Sequence, residues 1–151
     1  MATAVRPKEF RFPLAVEWEG GRRVSVQVPG KPALEVTVPP EFRGTDPATW
    51  SPEDLFVGAA ASCLAVTFTG LAERAGLAYT RLSVAGEGVA GRRDDGRFGF
   101  TRLVLALEVE TDPADTEQAR ELARKAEETC LVSVSLDVPV ELVIEVKGSA
   151  T

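Results

Sequence analysis

Cys63 and Cys130 are the only thiols in a chain of 151 residues that contains no histidine. The missing histidine excludes Ser-His-Asp and Cys-His catalysis and most zinc chemistry. Two thiols are too few for a four-thiolate metal site. What remains is thiol chemistry tuned by arginines and carboxylates, or no chemistry. A free cysteine on an apolar helix is usually a small core hydrophobe. A structural disulfide is a second reading, disfavoured in a reducing compartment. The third is a redox pair that meets across a helix–helix contact, since each cysteine falls on the buried face of one of the chain's two predicted helices.

A working thiol must ionise, and nearby positive charge favours that. Cys63 lies ten residues past Glu53 on the first helix, about 15 Å along the axis, so its own helix dipole is out of reach. An arginine is therefore required, and Arg22, Arg23 and Arg43 precede the helix. Burying a guanidinium demands a partner, which Glu53 can be. Ten residues also place Glu53 and Cys63 some 80° apart around one straight helix. A single helix cannot bring this carboxylate against its own thiol, so a site composed from two chains is expected.

The elements that would position these groups follow from patterning. Residues 9–19 alternate, with Phe10, Phe12, Leu14, Val16 and Trp18 on one side, which predicts a strand with one buried face. Gly20-Gly21 turns the chain into a second strand through Val24, Val26 and Val28. A third follows through Leu34, Val36 and Val38, making an antiparallel meander. The helix over 51–75 opens with a capping Ser51, Pro52 in the first position, and acidic Glu53 and Asp54. From Leu55 to Leu71 it carries no charge, so it should run through the middle of the structure. That run is short and Ala/Gly-rich for a membrane span, and a buried helix is expected instead.

Residues 79–90 and 97–111 form two strands around a charged turn, with Leu103, Leu105, Leu107 and Val109 on one face. Asp112-Pro113 opens a second helix, whose apolar face carries Ala119, Leu122, Ala126 and Cys130. Its opposite face carries charges that include Glu127. Residues 138–147 alternate as a last strand. The order is βββ-α-ββ-α-β, an α+β fold in one domain over residues 1–151. The net charge of −6 argues against nucleic acid as a partner. The N-terminus lacks the apolar core of a signal peptide, which predicts a cytoplasmic protein with no membrane association.

At these residues the sequence resembles the OsmC/Ohr family of thiol-dependent organic hydroperoxide reductases, over roughly Val16 to Val146. Ser51-Pro-Glu-Asp-Leu-Phe56, followed by Cys63, is similar to the family's Asn-Pro-Glu-x-Leu-Phe…Ala-Cys helix. Ala126-Glu-Glu-Thr-Cys130-Leu-Val-Ser133 resembles its second-cysteine motif at a helix end. The resemblance implies antiparallel sheets around long central helices in an intertwined homodimer. It implies that Cys63 is peroxidatic and Cys130 resolving, that the family's Glu falls on Glu53, and that its Arg falls best on Arg22 in Gly20-Gly21-Arg22. Two departures stand out. Ser51 replaces an Asn, and Leu131-Val132 stand where the hydroperoxide reductases commonly have Pro and an aromatic, which leans toward an OsmC-like branch.

The activity this implies is reduction of an organic hydroperoxide to the alcohol. A Cys63–Cys130 disulfide would form, and an external dithiol, such as a lipoyl-type donor, would reduce it with no bound cofactor or metal. Phe56, Phe42 and Trp50 are candidate walls for an apolar substrate. The rival from another class is a non-catalytic dimer on the same scaffold, binding an apolar ligand or partner with inert cysteines.

Overall fold

The structure is a computed structural model and describes residues 8–149. It comprises two compact units, one within residues 1–52 and one within 53–151. The first unit holds a three-stranded antiparallel meander of β1 (Ala15–Gly20), β2 (Arg23–Gln27) and β3 (Leu34–Val36). Gly20 and Gly21 turn β1 into β2 at φ 110° and 55°, values that suit residues without a Cβ. In register, Val16 faces Val26 and Leu34, while Trp18 faces Val24 and Val36.

The expected first strand is shorter than its alternation suggests, because residues 8–14 take no regular structure. Its apolar side is not buried either. Phe10, Phe12, Leu14, Val16 and Trp18 are all exposed, Trp18 by 74%, whereas Val36 on the far strand is 2% exposed. Among the described residues β1 is an edge strand with β2 as its one neighbour. Alternation reports which side of a strand is apolar, not whether that side is covered.

The second unit packs α1 (Pro52–Ala75) and α2 (Thr116–Thr129) with the sheet of β4 (Tyr79–Arg92), β5 (Phe98–Thr111) and β6 (Val140–Gly148). β5 is central, with β4 antiparallel on one side and β6 parallel on the other. The second sheet is thus mixed rather than antiparallel. The cause is the helical segment between β5 and β6, which carries the chain back so that β6 runs in the same direction as β5. Leu103, Leu105, Leu107 and Val109 form the buried face of β5 as their spacing predicts.

α1 is unbroken over 24 residues and ends at Gly76, which takes the left-handed conformation at φ 68°. By length and composition it could cross a membrane, yet its stripe Ala60, Leu64, Phe68 and Ala72 is part of the core with β5 and α2. On α1 that stripe alone is fully buried, with Phe56, Val57, Ala61 and Leu71 partly covered. Of its most apolar stretch 22% is buried, and Val66 is 65% exposed, so the helix expected to be enclosed all round has a bare apolar side within one chain. On its covered side α1 lies close to β4, where a Cβ on Gly88 would fall 2.8 Å from Val57 and 2.6 Å from Phe100. Phe100 in turn stacks on Phe56 at 4.5 Å. Glycine at 88 lets the helix and sheet approach this closely.

Candidate active site

Cys63 sits in the fourth turn of α1, partly accessible, and Cys130 is fully buried. The second cysteine is not within a helix, as its spacing suggested. It is the joint between α2 and the short α3 (Leu131–Val134), with extended backbone at φ −62° and ψ 116°. The chain breaks step there, and the new turn begins with its first N–H groups unused by the helix itself. Both cysteines are free thiols, and their side chains interact. The structure therefore brings together the two residues that motif and spacing singled out.

The two sulfurs have unequal environments. Burial pushes the Cys63 thiol up, but the Val132 N–H, the Cys130 thiol, the Thr67 hydroxyl and the Leu131 N–H outweigh it and hold Cys63 below its ordinary range. Thr67 lies one turn on, with its Oγ1 4.0 Å from the sulfur. Cys130 moves the other way. Burial pushes it up, the Ser133 N–H and hydroxyl pull it back in part, and the neighbouring Cys63 sulfur raises it further. The two surroundings act in opposite directions, favouring the thiolate at Cys63 and the thiol at Cys130. Donors, not only cations, stabilise a thiolate. Sequence reasoning that looked for positive charge missed the Leu131 and Val132 N–H groups. Only a helix restart at Cys130 could have revealed them, and no side chain encodes it.

The carboxylate and the arginines sit as follows. Glu53 is in the first turn of α1, and its Oε2 is shut off from solvent without a hydrogen-bond partner among the described residues. Because α1 is continuous, this carboxylate stays about 15 Å along the axis from the thiol of its own helix. In the first unit Arg23 is engaged by Asp46 at 2.9 Å and Glu35 at 3.3 Å. The Asp46 hydrogen bond and the Glu35 charge raise its pKa further. Arg22 is exposed and makes one long hydrogen bond, 3.5 Å, to the Phe42 carbonyl. Arg43 is a left-handed residue closing a short turn. Of the adjacent pair, Arg22 makes no ion pair among the described residues. Among the proposed wall residues, Phe56 is stacked in the core, while Phe42 and Trp50 are 42% and 53% exposed. No group of three or more His, Cys, Asp or Glu residues that could hold a metal ion occurs among the described residues.

An apolar helix carrying one activated thiol, placed beside a second thiol at a helix joint, defines a class of α+β thiol protein. The model of the OsmC-like protein family matches residues 44–145, and the chain belongs to that family. It is 28% identical over 142 residues to the uncharacterized protein YmaD of Bacillus subtilis, covering 91% of this chain and 93% of that one. Among solved structures, an OsmC-like protein of unknown function from Vibrio cholerae superposes with a TM-score of 0.81 at 19% identity. That match covers 91% of this chain and 99% of the other. The organic hydroperoxide resistance protein OhrB of Bacillus subtilis gives 0.64 at 25% identity, covering 90% and 98%. The fold is OsmC-like, and family membership points to a peroxide-related function.

Proposed function

We propose that this protein is a thiol-dependent peroxidase that reduces organic hydroperoxides to alcohols. The observation that carries the reading is the asymmetry of the two thiols. A nucleophile must be ionised before it meets substrate, and the groups around Cys63 favour its thiolate. In the proposed cycle the Cys63 thiolate attacks the distal peroxide oxygen. The O–O bond breaks, the alkoxide leaves and is protonated to the alcohol, and Cys63 becomes a sulfenic acid. Cys130 then attacks the Cys63 sulfur, forming the disulfide and releasing water. An external dithiol, such as a lipoyl-type donor, returns both residues to thiols, so no bound cofactor is required.

Arg22 and Glu53 are proposed to orient the peroxide and to balance charge at the reacting oxygen. An unpartnered carboxylate oxygen on Glu53 suits a guanidinium donor. The unbroken α1 supports the proposal that Glu53 serves the thiol of a second copy, giving a homodimer with composite sites. The bare side of α1 and the exposed stripe of Val16 and Trp18 support a self-associating chain. A cytoplasmic location is proposed as well, where dithiol reductants are available.

The test is hydroperoxide consumption with a dithiol donor. Cys63→Ser, nearly isosteric, should abolish turnover with the fold retained. Cys130→Ser should retain the first turnover and stop at a sulfenic acid that dimedone traps. Unchanged peroxide consumption by Cys63→Ser would remove the proposal and leave a non-catalytic dimer with inert cysteines. Sedimentation showing an active monomer would remove the composite site.

A further inference from the structure

We propose that Ser133 and Glu127 form a proton relay that deprotonates Cys130 for attack on Cys63. The inference deepens the peroxidase reading and rests on it. The chemical problem lies with the second thiol. Cys130 is completely buried, and its surroundings favour the protonated form, which serves Cys63 before peroxide arrives. Once Cys63 is a sulfenic acid, the same proton must leave, because a neutral thiol is a poor nucleophile. A fully buried sulfur has no water at hand to take it.

The fold places an acceptor there. Ser133 lies in the first turn of α3, and its hydroxyl donates to Glu127 Oε2 at 3.2 Å. The same serine stands one turn on from Cys130, and its N–H and hydroxyl act electrostatically on the Cys130 sulfur. Glu127 belongs to the last turn of α2, and the charged face assigned to it from sequence does not describe it: its carboxylate is half-buried and turned to Ser133. The C-terminal end of a helix is a poor place for negative charge. Burial outweighs the Ser133 hydrogen bond and raises Glu127 toward neutrality, which makes its carboxylate a better proton acceptor near pH 7. The titratable groups adjoining the relay are Cys130 and Cys63, and one turn back on α2 stands the exposed Arg124. Among the described residues Glu127 makes no ion pair.

The step balances. Ser133 passes its hydroxyl proton to the Glu127 carboxylate and takes the proton of Cys130. The Cys130 sulfur donates an electron pair to the Cys63 sulfur, the S–O bond breaks, and hydroxide leaves. Glu127 returns the proton, giving water and a disulfide. Ser133 neighbours the reacting sulfur. Glu127 acts through it.

The relay can be read without peroxide. The aromatic disulfide reagent that releases coloured thionitrobenzoate should react first at Cys63, freeing one equivalent and leaving a mixed disulfide. Attack by Cys130 then frees the second. In the full-length protein at pH 7, Glu127→Gln and Ser133→Ala should leave the first phase unchanged and slow the second by roughly tenfold or more. The second-phase rates should converge with wild type at high pH, where the thiol ionises unaided. A merely structural role would not produce that convergence. Equal second-phase rates at pH 7 in wild type and both variants overturn the relay, as does a wild type with no second phase. Because no peroxide is present, loss of the peroxidase reading through Cys63→Ser would be a separate result.

Discussion

Leu131 offers a direct test of how the Cys63 thiolate is held. Its backbone N–H is one of the donors to that sulfur, and proline is the substitution that deletes an N–H. The site accepts proline unusually well. Leu131 is the first residue of α3, where a missing N–H breaks no helical bond. Cys130 before it is already extended, as a residue preceding proline prefers. The Leu131 side chain is 63% exposed, so little packing is lost. A hydrogen bond to a charged group contributes about 1.5–3 kcal/mol. Leu131 is the weakest of the groups lowering Cys63, and the thiol is partly solvated. After discounting for solvent screening, about 1 kcal/mol is expected, or roughly fivefold in thiolate population.

The assay is the iodoacetamide alkylation rate of Cys63 against pH, with the modified site assigned by mass spectrometry. Cys63 is held below its ordinary pKa, so its rate should climb with pH and level off once the thiolate is complete. In Leu131→Pro the climb should move to higher pH. Below it the rate should be about fivefold lower, and above both transitions the two proteins should agree. Superimposable profiles in a variant with unchanged circular dichroism would refute the assignment of backbone donors to Cys63.

Gly88→Ala should destabilise the protein by about 1–3 kcal/mol. Its Cβ would meet Phe100 at 2.6 Å and Val57 at 2.8 Å, forcing α1 and β4 apart; an unchanged melting temperature in calorimetry would show that the contact is not tight. Glu127→Gln should raise stability at pH 7, an effect opposite in sign to its expected slowing of disulfide formation. The Glu127 carboxyl is raised by burial. Its stabilising contribution is therefore complete below the ordinary glutamate range and is lost as pH rises through the higher folded-state value. The urea midpoints of variant and wild type should diverge at pH 7 and converge below the ordinary carboxylate range; a constant gap would place the cause elsewhere.

Local patterning determined most of the elements. α1 begins at Pro52 with Glu53 and Asp54 in its first turn, and Gly76 closes it, because helix-end signals are a property of adjacent residues. The β5 face of Leu103, Leu105, Leu107 and Val109 was legible because side chains alternate along a strand. The absence of histidine confined the chemistry to Cys63 and Cys130. Three things were decided only in space. Whether the apolar side of β1 is covered depends on what packs against it, and periodicity carries no information about that. The parallel pairing of β6 with β5 depends on the path of the helical segment between them. The electrostatics of the thiols depend on Cys130 standing at a helix joint. There the N–H groups of Leu131 and Val132, and the hydroxyl of Ser133, reach sulfurs from residues that are neutral in sequence. Backbone donors have no letter in the sequence, and a glutamate looks the same whether it faces water or a buried serine.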